Sequence, residues 1–272
     1  GLRGQLEGNS TAGFNEWLLL RTGLKLGEGN LDLELAGDLN RPVGHVNLKV
    51  ASLGLNRVPS DKPLPSLRDL ELQLKVDGQA VDIEELNFTL NESGLKATAK
   101  IPTEALVEGA KAAEFKPIRI LQSVSGKIHL DDWQMENWVD RLPPIFRRSG
   151  SLSGSFQVEP ALQLSGDLRF KDFGLRPTST LASVEQINGR IQLNHRLLKI
   201  DQAGALVGGS RVELAGEMDL ADWSQPKWFL DLNGQNVPIL RTTKMILRSD
   251  IDISVDARNP EQSPLVAGGL DL

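Results

Sequence analysis

The chain has 272 residues, 30 Lys and Arg against 36 Asp and Glu for a net charge of −6, and no Cys. That length holds one large β domain or two ordinary ones, and its acidic balance, with the signs interspersed, offers nothing to a polyanion such as a nucleic acid. Without Cys there are no disulfides, thiolate metal sites or Cys nucleophiles, and no apolar run approaches the roughly 20 residues of a membrane-spanning helix.

Aromatic residues make up 5% with no Tyr, so any oily surface is aliphatic. No signal peptide is present, and a first residue of Gly1 rather than Met leads us to expect a piece of a longer chain, with any anchor or export signal elsewhere.

In chain order, Gly1 to Gly29 is Gly-rich around an apolar knot, Phe14 to Leu20, read as strand, excursion, strand. Leu31, Leu33 and Leu35 alternate with Asp32 and Glu34; after Pro42, Val46, Leu48 and Val50 continue the period of two, predicting a hairpin. Leu53 to Pro65 holds three prolines, each lacking an amide hydrogen, and is expected to break the ladder. Leu70, Leu72, Leu74 and Val76 then run into Asp77-Gly78 and resume as Val81, Ile83, Leu86, Phe88 and Leu90, a β-hairpin with one oily and one wet face. Leu95 to Ile101 gives another strand. Thr103 to Phe115 is compatible with a short helix or a loop. Lys127 to Leu130 is a strand end, after which Asp131-Asp132 offers a helix cap, with Met135, Trp138, Val139 and Leu142 at helical spacing before Pro143-Pro144. Ser151 to Val158, Leu162 to Phe170, Ile187 to Leu193, Leu197 to Ile200, Val212 to Leu220, Trp228 to Leu232, Met245 to Val255 and Leu265 to Leu272 read as further strands. No helix is long enough for βαβ crossovers, so the sheet is antiparallel and the fold all-β with short helical insertions.

The chain repeats itself. Ile191, Leu193, Asn194-His195, Leu198 and Ile200 restate the central hairpin 117 positions on, measured from Asp77 to Asn194. The strand before it, Gly44 to Leu55, aligns with Ser165 to Leu175 at an offset of 120, from Gly54 to Gly174. Gly126 to Trp133 matches Gly216 to Trp223, Gly4-Gln-Leu6 with Trp17 is a degraded version of that entry, and Ile253 to Pro260 resembles Leu33 to Pro42 as if a third copy were starting. The division expected is a first β unit over 1–125 and, over 126–272, a second with the start of a third. A period near 120 is far longer than solenoid rungs or propeller blades. Each apolar face must be covered by curling, by a second sheet or by a greasy guest.

No G-x-S-x-G, G-x-G-x-x-G or P-loop occurs. His45, His129 and His195 are far apart with no metal-ligand partner at short spacing, and His195 holds the turn position of Gly78, where left-handed backbone favours Gly, Asn or His. These residues read as structural, Asp131-Asp132 reads as a cap rather than a carboxylate pair, and neither an enzyme, a metal nor a cofactor is expected. Trp133, Trp138, Trp223 and Trp228 carry two readings: plugs at the ends or edges of the sheet, or a lid or membrane-interface contact.

Leu164-Ser-Gly-Asp-Leu168, Val184 to Ile191, Leu214-Ala-Gly-Glu-Met218 and Leu220-Ala-Asp-Trp223, set among alternating aliphatics, resemble the AsmA/TamB-like family of Gram-negative envelope proteins, in texture and repeat organisation over most of the chain. The resemblance implies a long, curved, U-shaped antiparallel sheet in the periplasm, spanning inner and outer membranes and carrying phospholipids on its apolar inner face, with an inner-membrane anchor elsewhere. On that reading the acyl chains meet Leu72, Leu74, Val76, Val81, Ile83, Ile191, Leu193, Leu198 and Ile200. Two other classes stand beside it: a scaffold pairing its edge with strands of outer-membrane proteins and their assembly machinery, and a secreted sandwich or adhesin with two closed sheets. A membrane barrel is disfavoured by the missing aromatic girdles.

Overall fold

A computed structural model describes residues 4–8, 24–38, 41–55, 66–106, 122–138, 144–176, 182–222, 225–241, 245–259 and 262–271. The fold is all-β and antiparallel, in two compact units: Gly1–Asp131 with Phe156–Gln163, and Asp132–Ser155 with Leu164–Leu272. The strands are β1 (Gly4–Gly8), β2 (Leu24–Leu26), β3 (Gly29–Asp38), β4 (Arg41–Leu55), β5 (Leu67–Asp77), β6 (Ala80–Leu90), β7 (Ser93–Pro102), β8 (Ser125–Gln134), β9 (Ser151–Glu159), β10 (Gln163–Leu175), β11 (Val184–Asn194), β12 (Leu197–Val207), β13 (Ser210–Asp219), β14 (Lys227–Arg241), β15 (Ile246–Ala257) and β16 (Leu265–Asp271). Sequence neighbours are sheet neighbours, except that β1 pairs with β3 and β2 with β4. In the first unit the pairings run from β1 to β8, in the second from β10 to β16, and neither run closes on itself.

β2 and β3 meet β4 in one register, Leu26 opposite Leu53 and Gly29 opposite Val50. The bonds from Gly27 N to Ser52 O at 2.7 Å and Ala51 N to Glu28 O at 2.8 Å carry the ladder across the gap. The ladder therefore continues through Leu53 to Leu55, where a break was expected; the prolines lie outside the described residues.

The repeat is visible in the backbone. The turn after β5 has Gly78 at φ 84 and the turn after β11 has His195 at φ 55; the turn after β6 has Asn91 and Glu92 at φ 47 and 64, that after β12 has Gly208 and Gly209 at φ 54 and 90. β5 and β11 bulge at Asp69 (φ 52) and Gln186 (φ 50), and β6 and β12 slip between Ile83 and Leu86 and between Ile200 and Ala203. Each pair lies 117 residues apart. A bulge inserts one residue and would turn the following alternation over, but the inserted residue stands outside the pleat, so the oily face is kept. A third echo links β3–β4 with β15–β16: a Cβ on Gly44 opposite Leu35, or on Gly268 opposite Ile253, would come within 1.9 Å of the carbonyl oxygen of Glu34 or Asp252.

One pairing departs from the sequence alignment. Leu48 faces Leu72, yet its aligned counterpart Leu168 faces Ile191, the counterpart of Leu74. The second copy is slid by two residues, which leaves every side chain on its own face.

Of the expected helix over Met135 to Leu142, residues 135–138 are described and they do not form an α-helix. β8 runs on through Gln134, and Met135–Asn137 is one 3-10 turn with no side-chain cap. Asp131 and Asp132 lie in the strand, Asp132 at φ 42, its carboxylate accepting from Gln134 Nε2 at 2.7 Å, because the ladder to β7 extends to Asp131 opposite Gly94. Val139 and Leu142 lie outside the described residues, as do Phe14 to Leu20, Trp17 and Trp223. Of the expected segment from Thr103 to Phe115, residues 103–106 are helical and 107–115 lie outside the description.

Little is sealed from solvent. Among the described residues the buried apolar side chains include Val50, Val76 and Ala80 in the first unit and Met135, Ala182, Ala203, Val212, Val237 and Ala257 in the second. Among the described residues no Leu, Ile, Phe or Trp is buried.

Candidate functional site

Strand register turns the alternating aliphatics into rows across each sheet. In the first unit Leu74 on β5 lies between Val46 on β4 and Ile83 on β6, and the row runs on through Ala99 to Gly126. Leu72 lies between Leu48 and Leu86, and Val76 between Gly44 and Val81. In the second unit Ile191 lies between Leu168 and Ile200, a row continuing through Gly216, Leu230 and Val255 to Val266. Leu193 pairs with Leu198, which pairs with Met218. Thus Leu72, Leu74, Val76, Val81 and Ile83 share one face of the first unit, and Ile191, Leu193, Leu198 and Ile200 one face of the second. Of these nine, Val76 is buried, Leu72, Leu74, Val81, Ile83, Ile191, Leu193, Leu198 and Ile200 half-buried.

The same rows hold residues not counted among the nine, among them Leu33, Leu86, Leu168, Leu230 and Val255. Their alternation was the signal that could have found them; only strand pairing puts them beside the nine. Of the Trp residues, Trp228 stands in such a row opposite Met218 and Ala257, and Trp133 stacks on Trp138 with centroids 5.0 Å apart and planes 3° from parallel, beside buried Met135. Aliphatic side chains offer no donor or acceptor, so the only forces these faces can exert on whatever covers them are dispersion and water exclusion.

The opposite faces are wet. Lys49 reaches Glu71 at 2.9 Å and Lys100 reaches Asp82 at 3.5 Å; Arg190 meets Asp167 at 3.2 Å. Exposed pairs of this kind contribute about 0–1 kcal/mol each; they keep the face solvated more than they hold the fold. Their electrostatics follow: the hydrogen bond and charge of Glu71 hold Lys49 above its usual range. The backbone amides of Ala80 and Gln79, at 2.8 and 2.9 Å, hold the Asp77 carboxyl low at the hairpin turn. Hydrogen bonding from Arg258 takes Asp256 down to about 2, and the same guanidinium lies 5.0 Å over the Phe229 ring. His45 approaches Asp32 and Glu34 at 3.8 and 3.6 Å. Among the described residues no group of three His, Asp or Glu is arranged to hold a metal ion.

Sequence reasoning missed the concavities of the wet faces. In the second unit one of about 640 Å³ is lined by Gln186, Asn188, Gln202, Arg211, Glu213 and Asn233; in the first, one of about 360 Å³ is lined by Gln73, Glu85, Asn87, Lys96 and His129. Both lie at the bulges, whose positions no residue type announced.

No described helix is long and apolar enough to cross a membrane. Comparison with protein families, with characterised proteins and with solved structures yields no match.

Proposed function

We propose that this chain is a section of a periplasmic apolar β-groove that carries phospholipids between the inner and outer membranes and so supports outer-membrane lipid homeostasis, in the manner of the AsmA/TamB-like proteins its sequence resembles. The observation that carries the reading is the near absence of large buried side chains: rows of Leu and Ile cross both sheets, and none of those described is buried. A sandwich core of such residues would be sealed.

An exposed acyl chain costs about 0.8 kcal/mol per methylene, so a two-chain lipid of about 30 such groups faces on the order of 20 kcal/mol in water. An aliphatic face removes much of that cost without gripping a headgroup. Lipids held only by dispersion slide, whereas a specific pocket retains its ligand.

Native mass spectrometry of gently purified protein is expected to show bound phospholipid, lost from Leu74→Asp and Ile191→Asp. A lipid-free chain whose Leu72, Leu74 and Ile191 pack against protein would overturn the proposal.

A further inference from the structure

The two wet-face concavities are the same place in two copies. In the first unit the cross-strand row is Glu71, Asn87, Lys96, His129; in the second it is Asn188, Gly204, Glu213, Asn233. The first copy fills its own concavity: Gln73 Nε2 and Asn87 Nδ2 both donate to the Glu85 carboxylate, at 2.9 and 2.5 Å, and Lys49 takes up Glu71. The second copy dismantles that network. Gln202 stands at the position of Glu85 and Gly204 at that of Asn87, while Arg190, at that of Gln73, turns to Asp167 at 3.2 Å. Ala215 at the position of Thr98 removes one more polar group. The volume rises from about 360 to about 640 Å³; both fall within the roughly 300–1,000 Å³ of small-ligand sites, and it is the loss of the Glu85 network that sets the second apart.

Beside small apolar residues such as Ala203, Gly204 and Ala205, the polar groups left in the lining are mostly amides, with Arg211 and Glu213 cancelling in net charge. Gln186, Gln202 and Asn233 each present donors and an acceptor. Asn188 is anchored, accepting from Asp172 N at 3.0 Å and donating to the Gln186 carbonyl at 2.6 Å. Arg211 pairs with Glu213 at 3.0 Å, so the two charges cancel and the concavity carries no net charge for an anion. An apolar guest would leave the amides unpaired, at a cost. Strand addition has no purchase, because the backbones of β11 to β14 are paired on both sides. A ligand dense in hydroxyls, each both donor and acceptor, matches this inventory.

We propose that the wet-face concavity of the second unit, between Asn188, Gln202, Glu213 and Asn233, is an oligosaccharide-binding site opened by the loss of the self-filling network of the first unit. It lies on the opposite face from the aliphatic rows and does not depend on their function.

The test is a nitrogen-15 NMR titration of the whole chain with triacetylchitotriose and, separately, maltotriose. Saturable shifts of the Gln186, Gln202 and Asn233 side-chain amides with a millimolar Kd are expected for at least one of them. Gly204→Asn, which restores the residue of the first copy, should weaken that binding about ten-fold or more. A Cβ at Gly204 meets only Val212 O at 3.8 Å, so the variant keeps the fold, checked by an unchanged amide dispersion. Asn87→Gly in the first unit should leave the binding unchanged. Absence of shifts with both sugars, or shifts indifferent to Gly204→Asn, would overturn the proposal.

Discussion

Truncating Leu74 should cost less stability than truncating the smaller Val50. Val50 is 2% exposed and lies between Gly29 on β3 and Leu70 on β5. Val50→Ala removes two methyl groups worth about 0.8 kcal/mol each and leaves a void closed on every side, for a total of about 2 kcal/mol. Leu74→Ala removes three carbon groups, about 2.4 kcal/mol if sealed. Leu74 is half-buried, which roughly halves that figure, and water or lipid enters the space, so no cavity cost is added: about 1 kcal/mol. Urea unfolding of delipidated protein, followed by far-ultraviolet circular dichroism at unchanged m-value, reads both. Adding phospholipid should then widen the gap between wild type and Leu74→Ala, since a ligand of the folded state stabilises in proportion to its occupancy. A loss of about 3–5 kcal/mol for Leu74→Ala in lipid-free protein, the range of closed cores, would refute the reasoning and with it the open aliphatic face.

Two further outcomes follow. His195 holds a left-handed turn at φ 55, where the first copy has Gly78, so His195→Gly should raise the urea midpoint, by up to about 1 kcal/mol of stability. Asp77 and Asp256 have carboxyls held below the ordinary 3.8, Asp256 at about 2. A carboxyl lowered by folding stabilises fully above its unfolded value and loses that contribution as pH falls toward its folded one. The melting-temperature difference between wild type and Asp77→Asn or Asp256→Asn should therefore be constant near neutrality and shrink on acidification from about pH 4 toward 2; a difference growing in that window would contradict the assignment.

The hairpins of the fold were legible because apolar and polar residues alternate on either side of the turns at Asp77-Gly78 and Asn194-His195, and one oily face fixes parity. The bulges at Asp69 and Gln186 were not, since neither residue is the Gly that signals left-handed backbone; the ladder on either side imposes it. The helical spacing of Met135, Trp138, Val139 and Leu142 did not show that β8 pairs with β7 as far as Asp131 and runs on to Gln134, so that the described part of this segment holds one 3-10 turn. The nine aliphatic residues proposed to meet acyl chains could be listed from alternation, but their neighbours across the sheet, and the contrast of Glu85 with Gln202 in the wet-face concavities, depend on register.

The two-residue slide of Leu168 against Ile191 has a consequence for how such a chain can change over time. Alternation makes the sheet quantised: a strand can drift, lengthen or lose material freely in steps of two, while a step of one exposes its whole oily row unless a bulge absorbs it. The copies have used both allowances, drifting by two where β10 meets β11 and keeping their bulges in place. Insertions and deletions inside the strands of its relatives should accordingly come in even numbers, or in odd numbers beside a residue of positive φ.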